Sequence, residues 1–144
     1  MKKVISLVLL ILWVIIIFLL SNQSGRVSTS ESDIVVNNLN NIFNMNEHVL
    51  VIIVRKLAHI IEYLILYLLM HNCIRIYKIK NRVSLSIILC LVCSIIDEIH
   101  QLFIIGRSGQ VLDIFVDSIG IIIGFIIIEV AYGKKKKVKE NSSS

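Results

Sequence analysis

Four polar side chains fall within five residues at Asp97-Glu98-Ile99-His100-Gln101, at the far end of a membrane-length apolar segment. Two other strings accompany it: Arg55, Lys56, His59 and Glu62 in one stretch, and Asp113 with Asp117 in another. Imidazoles and carboxylates in such company can exchange protons. His59 and His100 are therefore candidate acid and base, oriented by Glu62 and Asp97. Arg55, Lys56 and Arg107 suit a phosphate or carboxylate, with Glu98, Gln101, Asp113 and Asp117 completing a binding set. No nucleophile motif such as G-x-S-x-G occurs, and Ser94 and Ser118 read as helix-packing residues. His59, Glu62, Glu98, His100 and Asp117 are the right types to hold a metal, but their spacing argues against one. His59-x-x-Glu62 reverses the Glu-x-x-His order of di-iron bundles, and Glu98 and His100 lie about 200° apart around a helix. The expectation is no metal and no cofactor.

These groups sit in an apolar chain. Of its 144 residues, 56% are hydrophobic and none is proline. Ordinary globular chains lie near about 45–50% on a comparable count. An acid near the bilayer centre costs about 2.5–3.5 kcal/mol on insertion scales, so the polar strings must find partners or water. The reading is an all-α integral membrane four-helix bundle, with spans at 4–20, 49–76, 83–105 and 111–132. The first span is too long for the apolar region of a signal peptide and lacks an Ala-x-Ala site, so it reads as a retained helix. Between it and the second span, Ile34, Val35, Leu39, Ile42 and Phe43 alternate with asparagines, and this spacing predicts a short helix lying on the membrane surface. Residues 1–133 make one membrane domain, and 134–144 a basic, disordered tail. Cys90 and Cys93 form a C-x-x-C within an apolar helix, and they read as small core residues.

The formal charge of +5 carries no nucleic-acid signal, because it divides by membrane side. Lys2 and Lys3, then Arg75, Lys78, Lys80 and Arg82, then Lys134–Lys137 and Lys139 would share one side, against Arg26 and Arg107 on the other. Both termini are expected to face the cytoplasm. Depth along each helix brings the polar strings to one level. Asp97 lies about 21 Å from the cytoplasmic end of its span, Glu62 about 21 Å, His59 about 25 Å and Asp117 about 22 Å. This is the outer half of a hydrocarbon layer roughly 30 Å thick. Arg55, Lys56 and Arg107 face five acids, Glu62, Asp97, Glu98, Asp113 and Asp117, an excess that makes pH sensitivity an expectation. Gly120-x-x-x-Gly124 lets another helix approach closely, and that face is a candidate contact between copies in a homo-oligomer.

Four blocks carry a family resemblance. They are Ser21-Asn22-Gln23-Ser24, the run from Val54 to Tyr63, Asp97-Glu98-Ile99-His100-Gln101-Leu102-Phe103, and Gly106-Arg107-Ser108-Gly109 with Asp113, Asp117 and Gly120. Through them nearly the whole chain resembles the VanZ-like family of small bacterial membrane proteins. That family is named for an accessory protein of glycopeptide-antibiotic resistance associated with teicoplanin. Ile60 stands where members often have Phe, and Asn22 where they often have Ser; neither alters the polar set. The resemblance implies a multi-pass protein of the bacterial cell membrane but names no reaction. Three readings follow. The preferred one is binding of, or action on, an amphiphile in the outer leaflet: a lipid, an envelope precursor or an acylated antibiotic. The second is a membrane-embedded hydrolase or transferase on a lipid-linked substrate. The third is a purely structural cluster, in which ion pairs such as Arg55–Asp97 or Lys56–Asp117 fix helix packing.

Overall fold

The computed structural model describes residues 1–22, 47–104 and 110–141. Four helices account for nearly all of them: α1 (Lys2–Ser21), α2 (Glu47–Ile76), α3 (Arg82–Gln101) and α4 (Val111–Asn141). No strand occurs among the described residues. Helices are what lipid requires, because each satisfies its own backbone polar groups internally. Among the described residues, three stretches are long and apolar enough to cross a membrane: α1, α3 and Val111–Tyr132 of α4. α2 is the longest before α4, at 30 residues, but Arg55, Lys56, His59, Glu62, His71 and Asn72 dilute its apolar character. The surface helix expected between the first two spans falls on residues 23–46, outside the described residues, as does Arg107.

Two boundaries differ from expectation. α3 stops at Gln101 rather than near 105, because the chain tightens into i→i+3 bonds. Leu102, Phe103 and Ile104 donate to the carbonyls of Ile99, His100 and Gln101, and this geometry uses up the last orphan acceptors of the helix. At the other end of the chain, α4 runs through to Asn141. The helix bounds thus take in the lysine block.

The α2–α3 connection is compact for a local reason. Ile79 donates to the Ile74 carbonyl and Lys78 to that of Arg75. Lys78 takes a left-handed φ of 59°. This is the double-bonded helix stop that usually employs glycine at the left-handed position. Lys78→Gly should therefore raise stability, by up to about 1 kcal/mol, readable as a higher thermal midpoint in detergent. An unchanged or lower midpoint would count against this turn.

α2 is the hub. It touches α1, α3 and α4, whereas α1 and α4 do not touch each other among the described residues. Ring contacts fix the directions. Lys3 sits over the Tyr77 ring and Arg82 over that of Tyr132, while Phe18 meets His100 at the opposite end. Successive helices therefore alternate up and down. The core between them joins Leu10 and Ile17 of α1, Tyr63, Leu66, Tyr67 and Met70 of α2, Cys90 of α3 and Ile121 of α4. All three cysteines are free, with Cys73 and Cys90 buried and Cys93 half-buried, in keeping with small core residues. Outward surfaces carry exposed Ile, Leu and Val along α1, α3 and α4, as lipid-facing helices do.

The glycine face expected between copies is filled within the chain. A side chain at Gly120 would strike the Ile60 carbonyl oxygen of α2, and one at Gly124 would come within 2.9 Å of the Tyr67 ring. That face is the α2–α4 seam. Backbone meets backbone there, and the registry of the two helices is set to within a turn.

Candidate functional site

The seam determines what lies one turn further along. Asp117 precedes Gly120 by three residues and His59 immediately precedes Ile60, so the contact at Gly120 delivers these two side chains to each other. His59 Nδ1 lies 3.0 Å from Asp117 Oδ1. The other Asp117 oxygen, Oδ2, accepts a bond of 2.6 Å from the Ser94 hydroxyl of α3. Asp117 is fully buried. One carboxylate thus ties three helices together.

α3 contributes a single stripe. Ser86, Cys90, Ser94, Asp97 and Gln101 recur every three or four residues, and all are buried. The small residues let α3 approach α2 and α4, and the polar ones occupy the far end. Gln101 Nε2 donates to Asp97 Oδ2 at 3.1 Å. Glu98 lies on the adjoining face, where its Oε2 accepts the backbone N–H of Gln110 at 2.8 Å. It thereby takes up an amide at the start of α4, where the helix end favours negative charge.

On the rim, Lys56 Nζ meets Asp113 Oδ1 at 2.9 Å, with the lysine side chain 40% exposed. Within, Asp97, Glu98 and Asp117 are all buried. Asp97 Oδ1 and Glu98 Oε1 have no hydrogen-bond partner among the described residues. One ligand atom from each of His59, Glu98 and Asp117 lies within 4.8 Å of the others. These three side chains come from α2, α3 and α4, one each.

A model of the VanZ/LLP1 family matches residues 6–132. The chain belongs to the VanZ/LLP1 family. No curated protein and no solved structure matches it. The matched stretch of this VanZ/LLP1 member takes in every residue of the site and ends where the apolar part of α4 ends.

Several sequence expectations change in detail. The carboxylate that meets His59 is Asp117 rather than Glu62, and Asp97 bonds Gln101 instead of orienting His100. The basic partner of Asp113 is Lys56, so the pairings Arg55–Asp97 and Lys56–Asp117 do not form. Arg55 is half-buried and joins none of these bonds. His100 turns its ring edge-on to Phe18 of α1, centroids 5.8 Å apart, and takes no part in the His59 bond. Glu62 is half-buried on α2, where its backbone carbonyl accepts Trp13 Nε1 of α1 at 3.0 Å. Of the two serines read as packing residues, Ser118 bonds the Ile114 carbonyl on its own helix, but Ser94 belongs to the site. Its signal was available: it shares the Asp97 stripe one turn earlier. The spacing that disfavours a metal is between pairs on one helix, whereas His59, Glu98 and Asp117 come from three helices.

A second polar locus, which no spacing in the sequence marks, lies at the opposite end. His71, buried in α2, stacks on Tyr67 and meets Tyr132 edge-on. Beside it, Arg75 bonds Asn72 at 2.7 Å and the Tyr132 hydroxyl at 3.3 Å. A lone histidine in an apolar run gave no spacing pattern to mark it.

Proposed function

We propose that this VanZ/LLP1-family membrane protein binds the polar headgroup of an amphiphile at the outer leaflet, between the ends of α2, α3 and α4. The observation that carries the reading is the pair of buried carboxylate oxygens, Asp97 Oδ1 and Glu98 Oε1, left without partners among the described residues. Each such group costs about 1–3 kcal/mol when buried unsatisfied. A headgroup that supplies donors offsets that cost, and the apolar outer faces of the same helices suit its acyl chains. A lipid, an envelope precursor or an acylated glycopeptide such as teicoplanin meets this description. The last accords with the resistance setting from which the family takes its name.

Four passes with both termini cytoplasmic place the site on the outer side. Lys3, Arg75 and Arg82 near the opposite end support that orientation. The acid-rich interior favours hydroxyl- or ammonium-bearing headgroups over bare anions. Of the three basic residues, Lys56 is engaged by Asp113.

The test is thermal protection of the purified protein in detergent, over a panel of native-like lipids, lipid-linked envelope precursors and teicoplanin. At least one acylated ligand should raise the unfolding midpoint by several degrees, and Asp97→Asn should reduce the shift. A panel without any shift would sink the reading. A second reading, acid–base catalysis, is favoured by one feature. The Asp117 contact at Nδ1 holds the His59 ring in one orientation, as a carboxylate does for a catalytic imidazole.

A further inference from the structure

We infer that His59, Glu98 and Asp117 form a binding site for one divalent first-row cation, of the Zn2+ or Mn2+ type. Three observations converge on it. The first is separation. Ligand atoms each about 2.0–2.1 Å from a metal stand roughly 3.0–3.4 Å apart when adjacent in its coordination sphere. His59 Nδ1 and Asp117 Oδ1 are 3.0 Å apart, and the Glu98 carboxylate lies within 4.8 Å of both residues.

The second is how each carboxylate is held. Ser94 fixes Asp117 through Oδ2, and the Gln110 amide fixes Glu98 through Oε2. In each case one oxygen is engaged by a neighbouring donor. That leaves Asp117 Oδ1 on the imidazole and Glu98 Oε1 buried without a partner. Outer hydrogen bonds that orient metal-binding carboxylates take this form. The side chain with the spare oxygen is itself only 5% exposed, and so is shielded from the water that would otherwise satisfy it.

The third is charge. Two carboxylates and a neutral imidazole carry two negative charges, which one divalent ion neutralises. Lys56 is not available for this purpose, since Asp113 takes it. One nitrogen and two oxygens suit ions of intermediate hardness, Zn2+ or Mn2+, better than Ca2+ or Cu+. Three protein ligands leave coordination positions open. The inference rests on the amphiphile reading only for what fills those positions: a hydroxyl oxygen of the headgroup.

The deciding measurement uses the full-length protein in detergent, stripped with EDTA and titrated with ZnCl2 or MnCl2 alone. About one ion per chain should bind, and the Mn2+ form should show nitrogen coupling in pulsed electron spin resonance. Glu98→Gln should weaken binding at least tenfold, and His59→Gln should remove the nitrogen signal. Ser94→Ala, which spares all three ligands, should weaken binding by a smaller factor. Absence of stoichiometric binding to folded protein, or equal binding by wild type and Glu98→Gln, would overturn the site. The amphiphile reading fails separately. Ion binding without ligand protection leaves the metal site standing, whereas ligand protection unaffected by EDTA, with no bound ion, removes it.

Discussion

Gly120→Ala will destabilise the protein, although alanine is the better helix former by about 1 kcal/mol. The sign follows from what the new methyl group meets. It would strike the backbone carbonyl of Ile60, with the Leu64 amide nitrogen 3.0 Å away on the same helix. Backbone cannot rotate aside, so α2 and α4 must separate along their whole contact. Overpacking of this kind costs about 1–3 kcal/mol, and Gly120→Leu more. Gly124→Ala is the internal control. Its nearest obstacle is the Tyr67 ring at 2.9 Å, with backbone no nearer than 3.3 Å, so the loss should be smaller. Denaturant titration in mixed micelles, with the amount of membrane-inserted protein as a second reading, ranks the three variants. If Gly120→Ala proved as stable as wild type, the seam described here would be wrong.

Asp117→Ala should be the most damaging single change in the polar site. It leaves the Ser94 hydroxyl and His59 Nδ1 without their acceptor in a buried place, at about 1–3 kcal/mol for each orphaned group. Membrane hydrogen bonds measured singly average nearer about 0.6 kcal/mol, because the separated helices find other partners. The sum therefore belongs toward the lower end, about 2 kcal/mol. Asp113→Ala also breaks a charged contact. Its partner Lys56 is 40% exposed on the side chain, so the expected loss is below about 1 kcal/mol. Asp117→Asn should retain most of the stability, because an amide can accept from Ser94 and donate to an unprotonated Nδ1. The same micelle titration tests the order. An Asp113→Ala loss equal to that of Asp117→Ala would contradict the burial of the His59–Asp117–Ser94 chain.

Much of this arrangement is legible in the sequence because membrane helices obey few rules. Length and apolarity mark the spans, rise per residue brings Asp97, His59 and Asp117 to one level, and i+4 spacing places Asp113 and Asp117 on one face. What spacing along one helix cannot give is rotation about its axis relative to a neighbour. Spacing alone therefore pairs His59 with Glu62 on its own helix, while the partner in the fold comes from α4, 58 residues away. The glycine pair shows the same limit. Small residues announce a close approach without saying whether the approaching helix belongs to the same chain. Ser94 is hard to read from sequence for a chemical reason, since a hydroxyl in a membrane helix usually bonds its own preceding carbonyl. Ser118 does this and Ser94 does not.

The order in which the chain is made gives the α2–α4 seam a temporal meaning. Lys56 and His59 leave the ribosome well before Asp113 and Asp117, their partners 57 and 58 positions later. During that interval α2 holds a lysine and a histidine that α4 has yet to receive. Of the four described helices, it is the one outside the set that is apolar enough to cross on composition alone. Its packing among the other helices therefore waits on α4. A chain cut short before α4 would leave α2 an orphan for membrane quality control to remove.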